Sequence, residues 1–200
     1  MYIRFFEGSS VSEWKQKRRV MRLYDLTAHL YDMRYSEEQE AKYKIALGNL
    51  DSNVKGTALD VGCGTGLLFS HVAATAERVV GVDVSRKLLF EARKRARKFR
   101  IIHLVQADAD HLPFRNACFN VVFAFTVLQN MPHPKETLVE ITRTANHEAS
   151  IVATGLKKTF SLETFAELLQ QAGLRVVSIK DDDVSRCYVA ISVKSSRSAP

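Results

Sequence analysis

From Thr57 onward, short apolar runs alternate with segments of helical periodicity, and the first run ends in the turn Gly62-Cys63-Gly64-Thr65-Gly66. Runs at 57–61, 78–82, 101–106, 119–125 and 150–154 read as strands, and segments 67–76, 85–99, 134–145 and 161–172 as helices. Alternation at this spacing demands right-handed crossovers between parallel strands, with helices on both faces. The run 119–125 is apolar almost throughout, as a central strand buried on both faces must be. Runs 174–180 and 187–194 are joined by the acidic turn Asp181-Asp182-Asp183 and read as an antiparallel hairpin at one sheet edge. The expected fold class is α/β: a doubly wound, mostly parallel, seven-stranded sheet with a C-terminal antiparallel hairpin and an N-terminal helical extension.

That extension spans residues 1–50. Val20, Leu23, Tyr24, Thr27, Leu30 and Tyr31 recur at helical spacing, and Ser36 with Gln39 resembles a capping box opening a helix over 37–50. Gly48, Asn49, Asp51, Ser52, Asn53 and Gly56 mark a loop, and the Ser/Arg stretch before Pro200 reads as a frayed tail. Two hundred residues, 46% hydrophobic and 26% charged, suit one folded domain, 1–200, made of a helical cover (1–50) and a sheet core (57–195). No apolar run approaches membrane-spanning length, and the mixed aromatic and charged N-terminus does not read as a signal peptide. Cys63, Cys118 and Cys187 lie far apart, with no paired spacing, which argues against a disulfide framework or a zinc site and for a cytoplasmic setting. The net charge of +7 is uneven. Arg86, Lys87, Arg93, Lys94, Arg95, Arg97, Lys98 and Arg100 face only Glu91, and Lys15, Lys17, Arg18, Arg19 and Arg22 form a second cluster. Such clusters are either solvated helix faces or patches that steer RNA and other polyanions.

Ligands of open α/β sheets sit outside the C-terminal strand ends, where the strand order reverses. The glycines at 62–66 allow a tight turn there, and the next helix start offers free N–H groups. Asp83, 21 residues after Gly62, ends the second strand, where a carboxylate can accept both hydroxyls of a ribose. A dinucleotide fingerprint would need glycine at position 67, which is Leu67; the third glycine arrives one residue early. Asp60 is a poor neighbour for a pyrophosphate but suits the cationic end of an amino acid.

The run Leu59-Asp60-Val61-Gly62-Cys63-Gly64-Thr65-Gly66 resembles motif I of the class I S-adenosylmethionine-dependent methyltransferases, whose fold is Rossmann-like. Gly81-Val82-Asp83-Val84-Ser85 is similar to their second-strand acidic motif, residues 106–114 to the adenine-holding segment and 119–128 to the fourth-strand motif. The resemblance covers about residues 20–195. It implies S-adenosyl-L-methionine as cofactor, with Asp60 and Gly62 at the methionine end and Gly64 and Gly66 shaping the turn. It further implies Asp83 on the ribose, Val84 against the adenine, Asp108 and Ala109 at the adenine amine, and Phe125 and Thr126 beside the methyl donor. Ala28-His29-Leu30-Tyr31-Asp32 resembles the segment of the ubiquinone/menaquinone-methyltransferase-like subset that folds its tyrosine, here Tyr31, over the cofactor.

Two places depart from the family pattern: Asn120 stands where many relatives have aspartate, and residues 143–149 lack the usual glycine turn before strand five. Thr126-Val127-Leu128-Gln129-Asn130-Met131-Pro132 is not the motif of amide or exocyclic-amine methylases. No metal ligand set and no catalytic base is assigned, although His111 and His133 fall on loops facing the expected site. With no insertion after strand five to act as a lid, the site reads as open except for residues 1–50. Flanking basic clusters then favour RNA or a nucleic-acid-associated protein as methyl acceptor over a small metabolite or quinone-like ring. A non-catalytic binding module is the alternative class, and a nicotinamide-dependent oxidoreductase is disfavoured by the glycine spacing.

Overall fold

The computed structural model describes residues 11–50, 54–181 and 185–194. The expected tail, loop residues 51–53, the first ten residues and most of the acidic turn (182–184) lie outside that range. Seven strands, β1 (Thr57–Val61), β2 (Arg78–Asp83), β3 (Ile102–Gln106), β4 (Phe119–Ala124), β5 (Ala145–Leu156), β6 (Leu174–Lys180) and β7 (Cys187–Lys194), form one sheet in the order β3-β2-β1-β4-β5-β7-β6. β1 to β5 pair in parallel, while β7 runs antiparallel to both β5 and β6, the expected edge hairpin.

Strand side chains alternate faces, and the core divides accordingly. Leu59, Val61, Val122 and Ala124 point to one side, onto Leu138 and Ile141 of α5 (Pro134–Thr144) and Phe165 and Leu169 of α6 (Leu162–Gln171). Ala58, Val121 and Phe123 point to the other. There they meet Tyr43 and Ala46 of α2 (Tyr31–Gly48), Phe69 and Val72 of α3 (Phe69–Val72), and Leu89 and Ala92 of α4 (Arg86–Ala96). Ser85 caps α4 by accepting the Leu88 N–H, and Ser161 caps α6 by accepting that of Thr164. The remaining helix, α1 (Val11–Thr27), joins α2 through a single 3-10 turn, Ala28–Leu30, and lies against α4.

Three local expectations are corrected. No helix starts at 37: α2 already begins at Tyr31, so Ser36 lies inside it and Gln39 turns its amide to Tyr31 and Thr126. The Ser36/Gln39 spacing is simply one turn of a continuous helix. The helix over 67–76 shrinks to Phe69–Val72, flanked by tighter turns in which Phe69 bonds to Gly66, His71 to Leu68 and Thr75 to Val72. The fifth strand is longer than 150–154. Residues 145–149 extend it, Ala145 pairing with Phe119, and an irregularity in the β4–β5 pairing accompanies Glu148 at φ +60°. This irregularity falls where the sequence lacks the glycine turn of the family pattern. Asn120 has its own structural use, since its Oδ1 accepts the Thr57 N–H at 2.9 Å and ties the start of β1 to β4.

Candidate cofactor site

The strand order reverses between β1 and β4, and a cleft of about 730 Å³, counting space open to solvent, lies at their C-terminal ends. Its floor is the glycine turn. Gly62 has φ +69°, and a Cβ there would sit 2.6 Å from Val127 Cγ2, so a side chain would fill the cleft and strain the backbone. Gly66 has φ +79° and does not line the cleft. Its bare Cα faces the Phe69 ring, which a Cβ would approach to 2.3 Å, so it shapes the turn by letting Phe69 pack beneath it.

Of the residues singled out from the sequence, Tyr31, Gly62, Gly64, Asp83, Val84, Asp108, Ala109, Phe125 and Thr126 meet around this cleft. Asp60 does not. It is buried beside a smaller recess of about 270 Å³ that shares Tyr31, Gly62 and Phe125 with the cleft. The Tyr31 ring lies over Gly64 and contacts the rings of Tyr24 and Tyr35.

Asp83 is held firmly. Its Oδ2 accepts the Gly64 N–H at 2.9 Å and its Oδ1 the Ser85 N–H at 2.8 Å. A carboxylate has about four lone-pair sites, so two remain for ligand hydroxyls. Burial pushes its carboxyl up to about 6, against the pull of those two N–H groups. Burial and the nearby Asp83 charge push Asp60 well above the usual carboxylate range. Two buried carboxyls, the ionisation of one disfavoured by the charge of the other, suit a ligand bearing positive charge. Val84, Leu88, Ala107 and Ala109 supply apolar walls against which a purine ring can pack.

The sequence reading missed the part of α1 that lines the cleft. Lys17, Val20 and Tyr24 form a wall with Val127, Asn130 and Met131. Lys17 is 6% exposed, and its ammonium contacts Asp108 at 2.6 Å and Asp110 at 2.5 Å. It thus turns away from solvent, out of the basic cluster to which its sequence neighbours belong. Asn130 Nδ2 donates to Tyr24 Oη at 3.2 Å and to the Thr126 carbonyl at 2.8 Å. Asp32 accepts from Thr65 Oγ1 at 2.6 Å and pairs with Arg95 at 2.5 Å, and Ser85 Oγ donates to Asp25 at 2.5 Å. These partners come from different segments, so no local motif announced them.

Thr126 is a non-glycine residue at φ +62°. Its backbone N–H donates to Thr154 Oγ1, and its hydroxyl receives both Gln39 Nε2 and Lys42 Nζ at 3.1 Å. A β-branched residue adopts this conformation only where its surroundings hold it. Neither His111 nor His133 lines the cleft; His133 is exposed and lies near Glu13 and Glu136. Among the described residues no group of acidic, histidine or cysteine side chains could hold a metal, and no helix is long and apolar enough to cross a membrane.

A family profile described as a methyltransferase domain matches residues 59–153. The ubiquinone/menaquinone biosynthesis C-methyltransferase UbiE of Burkholderia vietnamiensis is 30% identical over 206 residues, covering 94% of this chain and 82% of that protein. With two other curated relatives the match spans about 60% of their length, and with several more half or less. Among solved structures, DhpI in complex with SAH superposes with TM-score 0.73 at 18% identity, covering 94% of this chain and 100% of that one. The methyltransferase solved with the Haloferax volcanii Trm112 activator superposes with TM-score 0.72 at 17% identity, covering 86% and 97%. Profile and relative agree with the glycine turn and its acidic neighbours: the chain belongs to the class I S-adenosylmethionine-dependent methyltransferases, in their type 11 group, and S-adenosyl-L-methionine is its cofactor.

Proposed function

We propose that the chain methylates a small, largely apolar acceptor, and not RNA. The observation that carries this reading is the roof over the cleft. α1 and α2 supply Lys17, Val20, Tyr24 and Tyr31 to its wall, and among the described residues Lys17 is the one member of the two basic clusters that lines it. That ammonium is bound by Asp108 and Asp110, so it offers no free charge to a phosphate. The rest of the α4 cluster faces solvent or, as Arg95, holds the cover down. Names of relatives point the same way: the Burkholderia protein is named for ubiquinone and menaquinone biosynthesis.

The cofactor supplies a methyl group already activated on a sulfonium, and the protein's task is alignment. Asp83 binds the ribose hydroxyls, while Val84, Leu88 and Ala109 hold the adenine with Asp108 at its amine. Phe125 and Thr126 border the donor. Val20, Tyr24, Val127 and Met131 form an apolar wall for the acceptor and keep water out. Burial raises both Tyr24 and Tyr31, so neither phenol is a ready base. Asp108 is engaged by Lys17 and Asp83 by two backbone N–H groups, so this wall suits an acceptor atom that is nucleophilic on its own account, as an electron-rich ring carbon or a phenolate is.

Incubation with labelled cofactor and fractionated cell extract tests the assignment. Label should enter solvent-extractable small molecules; label confined to RNA or protein would overturn it.

A further inference from the structure

α1 turns Lys17, Val20 and Tyr24 to the cleft, and its outer face has a composition that the cleft does not explain. Lys15, Arg18, Arg19 and Arg22 are exposed and recur at helical spacing, so they share one face. Leu23 and Leu26 continue that spacing and are 60% and 70% exposed. The two acidic residues of the helix lie off this face: Glu13 is near His133, and Asp25 accepts Ser85 Oγ at 2.5 Å. Beside α1, α4 adds Phe90, 64% exposed, with Lys94 Nζ 5.2 Å from its ring and Arg86 and Lys87 exposed nearby.

A helix face that is merely solvated gains nothing from large apolar side chains among its charges. RNA makes no use of them either: phosphates take the cations, and unpaired bases stack on aromatic rings or guanidinium planes, not on leucine. A second copy of the same face would meet it as a like charge. An anionic lipid surface uses both components. Leucine and phenylalanine enter the boundary of the acyl chains, while arginine and lysine, with long apolar stems, reach back to the headgroup phosphates.

We propose that the outer face of α1, with Phe90 of α4, docks the protein on the surface of an anionic bilayer, lying in the headgroup layer without crossing it. One helix then serves two surfaces: its inner residues wall the cleft, and its outer residues rest on lipid. The cleft wall lies about one helix diameter, roughly 10 Å, from a phase that dissolves an apolar acceptor. The docking stands on the surface alone and fails separately from the acceptor reading, because vesicle binding needs no methyl transfer.

Flotation of the full chain with vesicles of phosphatidylcholine, alone or mixed with phosphatidylglycerol, tests the docking. Binding should be roughly tenfold or more stronger to the anionic vesicles and should weaken as salt is raised. Arg18→Gln with Arg22→Gln should lose about fivefold in affinity per charge removed. Leu23→Ser with Leu26→Ser keeps every charge and should still lose roughly tenfold or more. Val139→Ser with Val177→Ser removes exposed apolar surface from α5 and β6 and should bind as the parent does. Unchanged thermal unfolding midpoints show that the variants are folded. No preference for anionic vesicles, a leucine variant that binds as the parent, or a valine variant as weak as the leucine one would overturn the proposal. A parent that binds polyuridylate but not vesicles would overturn it too, and would give the face to RNA.

Discussion

Asp83 carries the sharpest test available to a single residue. Its carboxyl is raised from 3.8 to about 6 by burial, and ribose hydroxyls together with a sulfonium favour its ionised form. Cofactor affinity should therefore be level above neutral pH and weaken as pH falls through 6, by up to about tenfold per unit. Stability of the ligand-free protein runs the other way. A carboxyl raised in the folded state contributes stability that is full below 3.8 and is lost as pH rises through about 6. The loss is about 3 kcal/mol. Asp83→Asn cannot ionise, so its unfolding free energy should gain on the parent's by about that amount between pH 4 and 7, measured by urea titration. A constant difference across that range would contradict the assignment. The same variant should weaken cofactor binding at neutral pH.

At the scale of elements, the sheet was legible in sequence because burial imposes its own pattern. Strand alternation, the stripe Leu88, Leu89, Ala92 and Ala96, and the caps Ser85 and Ser161 are all local signals. The extent of α3 and β5 was not legible. Both depend on contacts distant in sequence, the Phe69 ring under Gly66 and Ala145 pairing with Phe119. The seating of α1 was equally hidden, because a lysine in a basic run gives no sign that it will turn inward to two aspartates 91 and 93 residues away. Lys17 is the main tie between α1 and the adenine end. Lys17→Met should speed hydrogen exchange of amides in 11–27 by an order of magnitude or more, since breaking a buried ion pair costs about 3–5 kcal/mol. Amides of β1 and β4 should keep their protection. Unchanged exchange in α1 would mean that the Asp25 and Asn130 contacts suffice to hold it.

The whole molecule divides its work between two sources. The parallel sheet presents Asp83, the glycine turn and Asp60 from strand ends whose positions are fixed by pairing on both sides. The helical cover adds Lys17, Tyr24, Tyr31 and Gln39, and closes an otherwise open strand edge into a cleft with an apolar lining. The sheet's contribution was readable, since motif residues in order along the chain converge wherever the strands end. The cover's was readable only at Tyr31. This is why the sequence pointed to an open site and a polyanionic acceptor, while the geometry supports a covered site and a small one. The central claim is that this assembled cleft recognises S-adenosylmethionine through Asp83 and the glycine turn. Titration calorimetry of the intact chain with S-adenosylmethionine, S-adenosylhomocysteine and NAD tests it most directly. The account predicts saturable binding of the first two at one site, weakened roughly tenfold or more by Asp83→Asn, and no comparable binding of NAD. Tight NAD binding without the other two, or Asp83→Asn binding as the parent does, would contradict it.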